Sequence, residues 1–324
     1  MLTYILFVVG FVILIKGADL LVEGASSIGR RFKITDIVIG LTIVSFGTSL
    51  PELFVNLFAS FSGSSQLALG NIFGSNIANI LLILGIAAII CPLPIKRNTY
   101  FSEIPFSLVA TLLVGFLANA TLFEGLGEVQ PSVLYLSRID GLILLFFFCL
   151  FMGYIYIVAR QKRSTHELEI VIEAPIKKSI LLIAVGMMGL YFGGVWVVDG
   201  AIQIAQEFGI SESLIGLTIV AIGTSLPELV TSIIAALKKN TDIAVGNAIG
   251  SNIFNLLWIL GLSAFIKPLE FSVINNLDVM MIIFASTLLI IAVIIGKKPI
   301  ISRWEGGYFI LAYVLYMIFL INRG

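Results

Sequence analysis

Residues 39–93 of this chain return, nearly in step, as residues 215–269. At an offset of 176 residues Gly17 falls on Gly193, Glu23 on Asp199, Gly24 on Gly200, Gly40 on Gly216 and Pro92 on Pro268. About 30 of the 55 positions from Ile39 to Leu93 match their partners, too many for chance self-similarity. No gap is needed from Gly10 to Leu93. The match resumes at an offset of 165, where "SRIDG" from Ser137 meets "SRWEG" from Ser302. The first half therefore carries an eleven-residue insertion around "ATLFEGLGEVQ".

The repeated unit is built for lipid. The chain is 59% hydrophobic and 12% charged, with mean hydropathy +1.10, whereas soluble domains carry about 25% charged residues. This surplus of apolar surface implies an integral membrane protein. Lys plus Arg equals Asp plus Glu at 19 each, so no charge excess points to nucleic acid. Cys91 and Cys149 lie in different apolar segments and read as unpaired thiols. The only histidine, His166, falls in a polar linker and reads as solvated. The N-terminus shows no basic region and no small-residue cleavage site, so residues 2–28 read as a retained first helix.

A spanning helix needs roughly 20 apolar residues. Such runs occur near 3–28, 36–60, 68–90, 102–120, 139–160, 179–206, 213–237, 244–266, 277–296 and 305–321. In a ten-span arrangement Arg30, Arg31, Lys33, Lys96, Arg97, Arg160, Lys162, Arg163, Lys177, Lys178, Lys238, Lys239, Lys297, Lys298 and Arg303 share one side. Only Arg138, Lys267 and Arg323 fall on the other. Basic loops stay cytoplasmic, so both termini should face outward. Residues 1–160 form the first unit, 161–178 a cytoplasmic linker and 179–324 the second unit. Five spans is an odd number, so the second unit should enter the membrane upside down. The expected fold is an all-α membrane protein with ten transmembrane helices in two inverted-topology repeats of five, an architecture common among secondary transporters.

Each repeat carries "GTSLPEL", at Gly47–Leu53 and Gly223–Leu229. Pro51 has no N–H, so the Gly47 carbonyl loses its helical partner, and the proline ring kinks the helix. Gly47 should add backbone freedom. Breaks are therefore expected near Ser45–Ser49 in span two and at the matching place in span seven. Free backbone groups at membrane depth survive only beside protein or water. Carbonyls, the hydroxyls of Thr48 and Ser49, and the Glu52 carboxylate would form a cluster of hard oxygens. Ala221, Thr224, Ser225 and Glu228 repeat it. Oxygen ligands suit Na⁺ and Ca²⁺ rather than soft metals.

A carboxylate at the bilayer centre costs roughly 2.5–3.5 kcal/mol on insertion scales. Lys16 is the only basic residue within a span, with Asp19 and Glu23 nearby as its expected partners. That leaves a mobile cation to neutralise Glu52 and Glu228: one Ca²⁺, two or more Na⁺, or protons. In "GNIFGSNIAN", Asn71, Ser75 and Asn79 share one helix face, with Gly70 and Gly74 on a close-packing strip beside it. "GNAIGSNIFN" repeats this with Asn247, Ser251 and Asn255. Ser75, Ser251, Asn79 and Asn255 are expected ligands. Asn71, Asn76, Asn247 and Asn252 divide evenly between ligation and interhelical bonding. Asp19, Glu23 and Asp199 are weaker signals, open to snorkelling or a vestibule. Glu124, Glu128 and "EFGISES" read as outer loops.

The paired "GTSLPEL" and "GNxxGSNxxN" motifs, in repeats of five spans, resemble the sodium/calcium exchanger family of prokaryotic type, within the calcium/cation antiporter superfamily. The resemblance covers essentially the whole chain. It implies that spans two, three, seven and eight hold the ions while spans one and six slide across them. It also implies that Glu52 and Glu228 are shared Ca²⁺/Na⁺ ligands and that Thr48 and Thr224 give backbone oxygens to Ca²⁺. Ser49, Ser75, Ser225, Ser251 and the carbonyls of Ser45 and Ala221 would build flanking Na⁺ sites. Asn255 stands where some relatives carry aspartate, and the two asparagines Asn79 and Asn255 together argue against K⁺ dependence.

The expected activity is electrogenic Na⁺/Ca²⁺ antiport with no cofactor, the transported ions and the lipid bilayer being the partners. The sequence leaves oligomeric state open, a monomer being compatible with it. The nearest rival is a proton/Ca²⁺ exchanger, or a K⁺-dependent Na⁺/Ca²⁺ exchanger, of the same fold. An intramembrane hydrolase using Ser49 or Ser225 lacks a general base, since no span holds a histidine. A passive cation channel is a third reading.

Overall fold

The computed structural model describes residues 2–120, 134–161, 175–208, 221–295 and 299–323. The insertion from Thr121 onward, Glu124, Glu128, His166, most of the 161–178 linker, Lys297, Lys298 and the start of the seventh expected span lie outside the described residues.

Helices dominate. In chain order they are α1 (Leu2–Phe32), α2 (Asp36–Thr48), α3 (Leu50–Ser62), α4 (Ser65–Ile90), α5 (Thr99–Ala118), α6 (Arg138–Gln161) and α7 (Ile176–Glu207). Then come α8 (Ala221–Gly223), α9 (Leu226–Leu237), α10 (Thr241–Ile266), α11 (Asn275–Ile295) and α12 (Arg303–Arg323). Among the described residues, eight helices are long and apolar enough to cross a membrane, or nine if the bent pair α2–α3 counts as one. Their length follows from composition: continuous apolar runs propagate until a turn or a charge cluster stops them.

Two helices form the centre. The most apolar windows of α4 and α10 are 78% buried, whereas in the other long helices that share is 22–44%. Both central helices contain a π-helical turn, Asn79–Ile83 in α4 and Phe254–Ile259 in α10. Such turns insert one residue and re-aim the side chains after it.

The long helices α1 and α7 pack on each other backbone to backbone. Gly10, Gly17 and Gly24 recur every seven residues on α1, as do Gly186, Gly193 and Gly200 on α7. Gly10 meets Gly193, and Gly17 meets Gly186 and Leu190. A Cβ on Gly17 would lie 2.7 Å from the Leu190 nitrogen and 2.9 Å from the Gly186 oxygen.

Two small antiparallel ladders, which the sequence does not announce, close the ends. β1 (Leu93–Pro94) pairs with β4 (Ile300–Ile301), with Leu93 opposite Ile301. β2 (Leu134–Leu136) pairs with β3 (Leu269–Phe271), with Leu136 opposite Leu269. Leu93 and Leu269 are 176 apart, and Leu136 and Ile301 are 165 apart. The repeat offsets thus convert one ladder into the other, and each ladder joins the two halves.

Candidate cation site

The two "GTSLPEL" segments share the backbone conformation of their serines. Ser49 sits at φ −84°, ψ 8° and Ser225 at φ −86°, ψ 5°, and each precedes a helix with proline in its first turn. The axis turns by 48° between α2 and α3. The departure is narrower than the Ser45–Ser49 stretch expected. Ser45–Thr48 stay helical, and the Ser49 N–H still bonds the Ser45 carbonyl at 3.0 Å. Proline deletes one bond and leaves the upstream ones intact. In the second half the Ser225 N–H instead bonds Ile222 at 3.1 Å. Gly47 and Gly223 contribute room rather than backbone freedom: a Cβ at either would press on α7, at Met187 and Val198.

Both glutamates lie in the middle of the protein, where Glu52 and Glu228 have no exposed surface. Each is reached from the opposite half. Ser49 donates to Glu228 Oε1 at 2.9 Å, and Ser225 donates to Glu52 Oε1 at 3.4 Å. Ser251 donates to the same Glu228 oxygen at 3.4 Å. Its repeat mate Ser75 reaches toward Glu52 but closes no hydrogen bond. Neither glutamate has a basic partner among the described residues.

The threonines cross over in the same way. Thr48 Oγ1 bonds Asn247 Oδ1, and Thr224 Oγ1 bonds Asn71 Oδ1, both at 3.0 Å. The amide nitrogens turn back to their own halves. Asn247 donates to the Glu228 carbonyl and to Ser232, while Asn71 donates to the Glu52 carbonyl and to Asn56. Asn71 and Asn247 therefore act as braces between helices. Asn76 donates to Ile72, and Asn252 to the Asn76 carbonyl. Ser45 Oγ spans Gly40, Gly246 and Asn247, holding α2 to α10, while its carbonyl also accepts from Thr48.

Several buried polar atoms here lack a partner among the described residues: Glu52 Oε2, Glu228 Oε2, Asn79 Oδ1 and both amide atoms of Asn255. An unsatisfied buried polar group costs about 1–3 kcal/mol, and more when charged. So many orphaned oxygens around two carboxylates fit a cationic substrate bound by hard oxygens. Among the described residues no cluster of three or more His, Cys, Asp and Glu could hold a metal, so serine, threonine and asparagine oxygens must complete any shell.

Asn56 and Ser232 escape a reading of the motifs alone, although a signal is there: each lies four residues after its glutamate, and they are 176 apart. Asp19 differs from expectation. Its partner is Lys238, at 2.5 Å, rather than Lys16. α1 lies against α9, and a lysine that precedes an acid along a helix is the weaker order for a pair within it. The glycine strip behaves as expected in one half. Gly246 and Gly250 pack on the backbone of Ile37–Leu41. The stretch that the repeat would set against Gly70 and Gly74, around Gly216, lies outside the described residues.

A helical membrane protein with a doubled, oxygen-lined, doubly acidic centre belongs to the class of cation/Ca²⁺ antiporters. The family profile described as "Sodium/calcium exchanger protein" matches residues 2–157 and 178–322. The chain is 37% identical to the "Putative antiporter CaxA" of Alkalimonas amylolytica, over 97% of each chain. It is 33% identical to the "Sodium/calcium exchanger MaX1" of Methanosarcina acetivorans, over 98% of each. A solved structure of the sodium-calcium exchanger NCX_Mj, soaked with Na⁺ and Ca²⁺, superposes with a TM-score of 0.79 at 32% identity over 98% of each chain. The chain belongs to the sodium/calcium exchanger family; it is a transporter, not an enzyme.

Proposed function

We propose that this protein exchanges Na⁺ for Ca²⁺ across the membrane by alternating access, and that the exchange is electrogenic. The observation that carries this reading is the crossed pairing of Ser49 with Glu228 and Ser225 with Glu52. It puts two uncompensated carboxylates in one buried cluster made equally by both halves. Two carboxylates neutralise one Ca²⁺ or two Na⁺. A third Na⁺ at neutral oxygens carries net charge, and moving one charge is worth about 2.3 kcal/mol per 100 mV. The hydroxyl and amide oxygens favour Na⁺ over protons as the driver, since a proton needs no such shell.

In this reading the fold is the ten-helix inverted repeat, with α2–α3 as the broken second span and α8–α9 ending the broken seventh. The exchanged strand ladders and the two matched profile segments support it. Residues 1–160 and 179–324 are the repeats. Glu52 and Glu228 bind both ions, with Thr48 and Thr224 supplying carbonyls to Ca²⁺. Ser49, Ser75, Ser225, Ser251, Asn79, Asn255 and the carbonyls of Ser45 and Ala221 complete the Na⁺ shells. Both termini face outward, and residues 161–178 lie in the cytoplasm.

The test is ⁴⁵Ca²⁺ uptake into proteoliposomes under separately imposed Na⁺, K⁺ and pH gradients. Na⁺-driven uptake at clamped pH, without K⁺, and accelerated by an appropriate voltage, is the expected result. Uptake driven by protons alone would replace Na⁺ with H⁺ as the coupling ion.

A further inference from the structure

Asp19 and Lys238 form an ion pair between two helical bodies. Asp19 lies on α1, which is welded to α7 through the glycine faces. Lys238 closes α9, the helix that carries Glu228. Lys238 Nζ stands 2.5 Å from the Asp19 carboxylate and 3.4 Å from the Asp19 carbonyl. Two residues on, Asn240 donates to Ser26 Oγ of α1 at 3.3 Å. The α9–α10 turn is thereby held against α1 at two levels, Asp19 and Ser26.

The other half lacks the residues for an equivalent tie. At the repeat offset Asp19 becomes Val195, Lys238 becomes Ser62, Ser26 becomes Ile202 and Asn240 becomes Ser64. Those side chains cannot form an ion pair. The packing is lopsided in the same sense. Among the described residues α1 runs along α9, whereas α7 makes no comparable backbone contact with α3. Two like halves in unlike contact mark one of two states, and the other follows by exchanging their roles. In the exchanged state α1 leaves α9, and both polar ties break.

We propose that the Asp19–Lys238 pair, with Ser26–Asn240 beside it, is a one-sided latch that holds the cytoplasmic face shut. The inference rests on the alternating-access reading above and adds a bias between its two states that the repeat alone would not produce. A partly exposed ion pair of this kind shifts a two-state equilibrium by up to about five-fold.

The test compares wild type with Asp19→Asn, Lys238→Gln and the double exchange Asp19→Lys/Lys238→Asp. The first readout is the apparent Ca²⁺ affinity on each face, measured in right-side-out and everted vesicles. Each single variant should strengthen cytoplasmic-face affinity and weaken outer-face affinity, each by about two- to five-fold, and the double exchange should return both toward wild type. The second readout needs no transport. With Cys91 and Cys149 replaced by alanine, Ala235→Cys on α9 is labelled from the cytoplasmic side by an impermeant maleimide. Labelling should quicken in the single variants and slow again in the double exchange. Unchanged affinities and labelling in the single variants overturn the latch, as does a double exchange that behaves like the singles. Absence of Na⁺-driven Ca²⁺ uptake in wild type instead overturns the exchanger reading, while the labelling result still decides whether the two bodies are latched.

Discussion

Ser49 Oγ lies 2.9 Å from Glu228 Oε1, although 179 residues separate them in the chain. The serine before one proline-started helix thus serves the carboxylate on the other. A local cation site would draw its ligands from one segment. Here each half supplies only part of the cluster, so under the proposed exchange ion occupancy and the docking of the two halves would be coupled.

That coupling gives the first prediction. In the proposed shell the Ser49 oxygen contacts Na⁺ itself, a contact taken as worth about as much as a hydrogen bond to a charged group, about 1.5–3 kcal/mol. Ser49→Ala should weaken apparent Na⁺ affinity by about ten- to hundred-fold. Ser225→Ala should act in the same direction but less strongly, because its contact with Glu52 is longer at 3.4 Å. Na⁺ titrations of ⁴⁵Ca²⁺ exchange in proteoliposomes check both; equal affinity in wild type and Ser49→Ala would remove the serine from the shell.

Removing a carboxylate separates transport from folding. Glu52→Gln or Glu228→Gln should abolish Ca²⁺ flux while the protein still inserts. In ion-free detergent either variant should be more stable than wild type, since one uncompensated buried charge is gone. Adding Ca²⁺ should reverse the order. A ligand at a hundred times its Kd stabilises a protein by about 2.7 kcal/mol, and only wild type can collect that. Thermal unfolding with and without Ca²⁺ measures both effects.

Much of this site could be read from sequence because the repeat does the work of a second copy. Glu52 and Glu228, and the serines and threonines beside them, stand out as polar residues duplicated inside lipid. The π-helical turns at Asn79–Ile83 and Phe254–Ile259 could not be read, since the residues after them are almost wholly apolar and offer no polar stripe whose phase an inserted residue could shift. The strand ladders arise from loops brought together by helix packing, and two- or three-residue strands have no periodicity to detect. Lys238 was invisible as the partner of Asp19 for the same reason: the contact spans 219 residues and belongs to tertiary structure.

The α1–α7 seam predicts a position-specific intolerance. Gly17→Ala places a methyl 2.7 Å from the Leu190 nitrogen, a backbone atom that cannot rotate away. Overpacking of this kind costs about 1–3 kcal/mol. A Cβ added at Gly307 on α12 would meet no described atom within 4 Å, so Gly307→Ala should be neutral or slightly stabilising through helix propensity. Thermal unfolding in detergent should rank Gly17→Ala below wild type and Gly307→Ala at or above it.

The turns that follow the two glutamate helices hold the last prediction. Gly63 ends α3 at φ 79°, and Lys239, 176 residues later, follows α9 at φ 59°. Both repeats therefore demand a left-handed residue at the same place, but only the first supplies the one that adopts it freely. A side chain in this conformation costs about 1–2 kcal/mol, and glycine gives back about 0.4–1 kcal/mol through its more flexible unfolded chain. Lys239→Gly should therefore stabilise the protein by roughly 0.5–1 kcal/mol, and Gly63→Ala should destabilise it. Neither side chain is part of the glutamate cluster, so Na⁺-driven Ca²⁺ exchange should persist in both. Chemical unfolding in detergent reads the two shifts, and a Lys239→Gly protein less stable than wild type would mean that the lysine side chain contributes more than its backbone strain takes away.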